Sequence, residues 1–98
     1  MKRGLNTDET MAEIIDEAIV EKFDIAIRLI EDSGTYKVKK APINKDRSYD
    51  EENFSVIGGT DGFATSEFDT EEDAQQFFND IQILDNNELT ERYPKIWV

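Results

Sequence analysis

Five carboxylates fall within one seven-residue stretch, Glu67, Asp69, Glu71, Glu72 and Asp73, and a sixth, Asp80, follows on what reads as the same helix. Carboxylates at this density could ligate a hard cation, work as general acids and bases, or present a negative surface to a basic partner. The alternating ligands and central glycine of an EF-hand loop are missing, which argues against calcium. The chain has no histidine and no cysteine, and nothing groups a nucleophile with a base at a recognisable spacing, so the sequence predicts no enzyme and no cofactor. Partner binding is the reading left for Glu67, Asp69, Glu71, Glu72, Asp73 and Asp80.

Two other stretches invite chemistry. Gly58-Gly59-Thr60-Asp61-Gly62 looks like a phosphate loop but lacks the lysine and hydroxyl of a Walker motif, and an apparent strand follows it rather than a helix whose amides could hold an anion. A tight turn is the better reading. Lys37, Lys39, Lys40, Lys45 and Arg47 form the one basic segment. Lys37 and Lys39 would share one face of a strand, which reads as a solvated face.

Charge is unevenly distributed. Of the formal net −12, residues 1–49 carry nine Lys/Arg against ten Asp/Glu, whereas residues 50–98 carry two against thirteen. A field of that sign repels nucleic acid phosphates and anionic membranes and attracts basic protein grooves, over a range of about 8–10 Å at ordinary salt. Direct nucleic-acid binding is therefore not expected, and the competing reading is that the charge only keeps the protein soluble.

The elements that must position these groups follow from spacing. Phe54 and Val56, then Phe63 and Phe68, flank the glycine cluster and predict a hairpin. Thr70 can cap the amides of a following helix with Asp73 reaching back, and Ala74, Phe77, Phe78, Ile81 and Leu84 make one apolar stripe. Upstream, Thr7 offers another cap, and Met11, Ile14, Ile15, Ala18 and Ile19 trace a stripe that predicts a first helix over residues 8–21. Phe23 to Ile30 reads as a strand, although a continued helix also fits. Ser33-Gly34 closes it into a hairpin with Tyr36 to Lys39, and Pro42 ends that second strand. Residues 44–53 read as a loop, and Glu88 to Tyr93 as a short helix stopped by Pro94. Ile96 and Trp97 are too apolar to stay in water, so the tail should dock on the core.

These elements predict a single α+β domain over residues 1–98: an N-terminal helix, an antiparallel sheet of about four strands, and a C-terminal helix packed on one face. Both helices are expected on that same face. No apolar run resembles a signal peptide or a membrane span, so a cytoplasmic protein, monomer or homodimer, is expected.

The order of elements, the acidity and the run EDAQQFFNDIQIL, with Glu72, Asp73, Phe78, Asn79, Asp80 and Gln82, resemble small phage-encoded anti-CRISPR proteins that inhibit type II effector nucleases. The resemblance implies a protein that sets carboxylates where DNA phosphates would lie, occupying the groove whose arginines read the short motif beside the target. The KIWV tail and the basic second strand depart from that pattern and leave the docking surface open. The alternative is an accessory domain that oligomerises through a sheet edge or its aromatic tail.

Overall fold

The computed structural model describes residues 12–59 and 65–97. Strands β1 (Ala12–Val20), β2 (Ile25–Asp32) and β3 (Thr35–Pro42) form an antiparallel meander. Two short strands, β4 (Ser55–Val56) and β5 (Glu67–Phe68), both pair with the far edge of β3, and helices α1 (Glu71–Ile83) and α2 (Asn86–Arg92) follow. The α+β class, the antiparallel sheet and the C-terminal helix are as the sequence predicts.

The N-terminal helix is not. Residues 8–11 of that expectation lie outside the described residues, and residues 12–20 are strand β1. Four β-branched residues, Ile14, Ile15, Ile19 and Val20, favour the pleated conformation. The three-residue step from Ile15 to Ala18 that imitates a helix comes from a bulge between Ile14 and Asp16, which inserts one residue into the two-residue alternation. Ile15, Ala18 and Val20 thereby meet the core. Ile14 and Ile19, 53% and 42% exposed, sit opposite Ile30 and Ala26.

The β2–β3 hairpin turns on Ser33 and Gly34, both at positive φ (56° and 84°), the backbone of a two-residue turn whose twist matches its strands. The resulting register sets Leu29 beside Val38 and Ile27 beside Lys40. Ile27, Leu29 and Val38 are fully buried on the face that α1 covers with Ala74, Phe77, Phe78 and Ile81. Burying each phenylalanine contributes about 1.5–3 kcal/mol. Helix α1 starts where predicted, because the Thr70 hydroxyl accepts a hydrogen bond from the Asp73 amide at 3.2 Å. At its other end Lys22 Nζ donates to the carbonyls of Gln82 and Leu84, placing a cation at the negative end of the helix dipole.

The hairpin expected around the glycines is met in part: its arms pair antiparallel at Gly58 and Thr65, the Ser66 amide donates to the Ile57 carbonyl at 2.9 Å, and residues 60–64 lie outside the described residues. Val56 and Ser55 pair with Lys39 and Lys40, while Glu67 and Phe68 pair with Lys37 and Tyr36, so the two pieces lie end to end along β3 and do not pair with each other. Between them a Gly58–Thr65 bridge pinches the two arms together. The buried Ser66 fills the gap opposite Val38. Its carbonyl accepts from the Val38 amide at 3.0 Å, and its hydroxyl accepts from the Ile57 amide at 2.8 Å and donates to the Val38 carbonyl. Gly59 is required at the pinch, with φ of 82° and room for a Cβ only 2.8 Å from the Thr65 methyl. Phe63 lies outside the described residues.

Helix α2 begins two residues earlier than predicted, because Asp85 and Glu88 form a reciprocal capping box, which satisfies two otherwise orphaned amides. The tail docks as expected. Trp97 is 9% exposed, its ring centroid 5.2 Å from that of Phe23 and 6.5 Å from that of Phe77, and its indole donates to Asn86 Oδ1 at 2.8 Å.

Candidate acidic interface

Glu67, Asp69, Glu71, Glu72 and Asp73 are all exposed, placed by β5 and the first turn of α1. Their positions follow from neighbours that point inward. Phe68, between Glu67 and Asp69, packs on the core beside Phe77 at 5.7 Å, and strand alternation sends its two flanking carboxylates the other way. Glu71, Glu72 and Asp73 precede Ala74, the first buried residue of α1, and stabilise the helix start by about 0.3–1 kcal/mol each through its dipole. Glu71 and Glu72 continue into a shallow concavity with Gln75, Gln76 and Asn79 along the exposed face of α1.

One cation stands beside this patch: Lys37 lies opposite Glu67 in the β3–β5 register, with its ammonium on Asp32. Arg28 bridges Glu17 and Glu51, Lys37 pairs with Asp32 at 3.3 Å, Arg47 pairs with Glu21, and Arg92 pairs with Asp80 at 3.2 Å. Among the described residues, none of the five patch carboxylates makes a salt bridge. Glu17, Glu21 and Asp32 of the N-terminal half are ion-paired, whereas the five acids at the β5–α1 junction make no salt bridge among the described residues.

Asp80 does not belong to this surface. It is 1% exposed, and its carboxylate accepts from Gln76 Nε2 at 3.0 Å, from Arg92 at 3.2 Å and from the Tyr93 hydroxyl at 2.5 Å. Three donors from two helices and the turn after them satisfy a carboxylate that would otherwise be costly to bury. Burial, and then the hydrogen bond to Asp80, push the Tyr93 phenol well above its ordinary pKa. The signal was present in the sequence, since Asp80 stands three residues after Phe77 and four before Leu84, on the apolar stripe itself.

A second polar centre escaped sequence reasoning altogether. Arg28 lies on the sheet face away from α1, its guanidinium 4.2 Å from the centroid of the Phe54 ring and ion-paired on both sides. The hydrogen bond to Glu51, followed by that to Glu17, raises its pKa, and the same contact lowers that of Glu51. Together with the edge-on contact of Tyr49 and Phe54, this fastens the 43–54 connection across the sheet. Lys37 and Lys39 share that face, so it is half-covered rather than simply solvated.

Among the described residues, no group of three or more carboxylates sits close enough to hold a metal ion, and no helix is long and apolar enough to cross a membrane. No family model, curated protein or solved structure matches the chain.

Proposed function

We propose that this protein is a non-catalytic acidic inhibitor that covers a basic nucleic-acid-binding surface by presenting carboxylates in place of phosphates. The proposed target is a guide-loaded CRISPR nuclease, and the source of such an inhibitor would be a phage. One observation carries the reading: Glu67, Asp69, Glu71, Glu72 and Asp73 are all exposed along the β5–α1 junction, without a salt bridge among the described residues. An exposed run of carboxylates of this kind steers encounter with an arginine- and lysine-lined groove. Helix α1 supplies rigidity, because its opposite face is locked into the core by Phe77 and Phe78. The particular target rests on the resemblance carried by residues 72–84, with Asp80 now withdrawn from the contact set.

The reading is tested by screening the protein against a panel of guide-loaded nucleases and other basic nucleic-acid enzymes for loss of target-DNA binding. A true partner would associate rapidly at low salt and markedly more slowly as salt is raised, because screening shortens the reach of the field. A second reading, a domain that oligomerises through its sheet edge, is favoured by Ile14 and Ile19, both exposed on β1. It would require the edge rather than the tail, since Trp97 is already packed against Phe23 and Phe77. A monomeric mass by light scattering at all accessible concentrations would count against it.

A further inference from the structure

Where β3 runs out from beneath α1, a cleft of about 390 Å³ opens between the sheet edge and the C-terminal tail. Its apolar wall is made by Val56, Ile57, Ile96 and Trp97, and its polar groups are Lys40 and Asn86. Register explains the lysine. Lys40 stands opposite Ile27 and two residues beyond Val38, so it leaves the sheet on the core-facing side, at the point where the core gives way to solvent. Among the described residues it makes neither a salt bridge nor a side-chain hydrogen bond. Asn86 offers its carbonyl oxygen to the Trp97 indole, which fixes the amide orientation and leaves its NH₂ group as a donor. The indole is held in turn by Phe23 and Phe77, so the wall is preorganised.

The lining is unusual for so acidic a chain. Four other concavities on this surface each carry at least one glutamate, whereas no carboxylate is found among the described residues that line this one. An anionic ligand therefore meets an ammonium and an amide donor beside an aromatic wall, with no carboxylate among the described lining residues. The volume lies within the range of small-molecule sites, which pair apolar walls with a few convergent polar groups. We infer that this cleft binds a small organic carboxylate, its anionic head on Lys40 and Asn86 and its apolar body against Trp97 and Ile96. A single ammonium suits a monoanion better than a phosphate dianion, given the net charge of −12. This site is separate from the acidic patch and stands whether or not that patch mimics DNA.

Trp97 is the sole tryptophan, so its emission and its indole N–H resonance report on the cleft directly. The probe is 3-phenylpropionate, titrated into the full chain with 3-phenylpropanamide and inorganic phosphate as comparisons. Saturable shifts are expected with the carboxylate, at least about tenfold weaker binding for the neutral amide, and a similar loss in Lys40→Met, consistent with a charge-assisted hydrogen bond. Lys40→Met keeps the aliphatic stem, and its melting temperature checks the fold, while the amide comparison on the wild type needs no variant at all. No saturable shift up to roughly 10 mM, the weak end of useful affinity, would overturn the inference. Equal binding of carboxylate and amide, or displacement by phosphate at the same concentration, would overturn it as well.

Discussion

The Tyr93 hydroxyl donates to Asp80 Oδ2 at 2.5 Å, joining the chain just after α2 to a carboxylate buried within α1. Gln76 and Arg92 complete the same carboxylate's shell, so one side chain ties the α2 segment to the helix that bears the acidic patch. Tyr93 also stacks edge-on against Phe77 at 4.7 Å, which continues the tie into the core.

Asp80→Ala should therefore destabilise the fold by about 1–3 kcal/mol, the cost of leaving the Gln76 and Tyr93 donors without their acceptor, because Arg92 is itself 56% exposed and can return to water. Asp80→Asn keeps an acceptor and should cost less. Chemical denaturation of both variants measures the difference, and an Asp80→Ala protein as stable as wild type would show that the buried cluster contributes nothing.

The same contact sets an alkaline limit. Because burial and Asp80 raise the Tyr93 pKa in the fold, the phenol stays protonated there after it would ionise in the unfolded chain. Its stabilising contribution is complete below the ordinary tyrosine value of 10.0 and declines as pH rises beyond that value toward the higher folded one. Stability measured from pH 8 to 11, a range spanning the tyrosine value of about 10, should fall more steeply in wild type than in Tyr93→Phe. Parallel curves would remove Tyr93 from the account.

Phe78 is fully buried on the stripe that faces the sheet. Phe78→Ala should cost about 3–5 kcal/mol, since it removes a large side chain and leaves a cavity that rigid strands on the other side cannot close. A thermal midpoint within a degree or two of wild type would mean that α1 does not bear on the sheet through this residue.

Much of this architecture was legible because local rules and tertiary packing agree. The Thr70 cap, the stripe through Phe77 and Phe78, the Ser33-Gly34 turn and the docked Trp97 are all written in residue types. The first strand was not legible, because its bulge gives Ile15 and Ala18 the spacing of a helix and only the pairing partner reveals that the extra residue belongs to a strand. That Ser55–Val56 and Glu67–Phe68 lie end to end along one strand was hidden for a related reason, because that pairing is set by the distant β3 edge. At the acidic face, sequence spacing identified the five exposed carboxylates. Asp80 reads as a surface residue by its charge, whereas its position on the apolar stripe buries it.

The central proposal is tested most directly by a variant that removes charge from the patch while leaving the helix cap in place. Glu67→Ser, Asp69→Asn, Glu71→Gln and Glu72→Gln are combined, with Thr70 and Asp73 untouched so that the hydrogen bond starting α1 survives. Circular dichroism and thermal melting establish that the fold is kept. Competition with target DNA for a guide-loaded nuclease is then measured for wild type and variant at several salt concentrations. The account predicts that wild type displaces DNA, that displacement weakens with salt, and that the folded variant loses at least about tenfold in potency, the scale of one charge-assisted contact or more. Failure of the wild type to compete with any member of the panel, or undiminished competition by the folded variant, would contradict it.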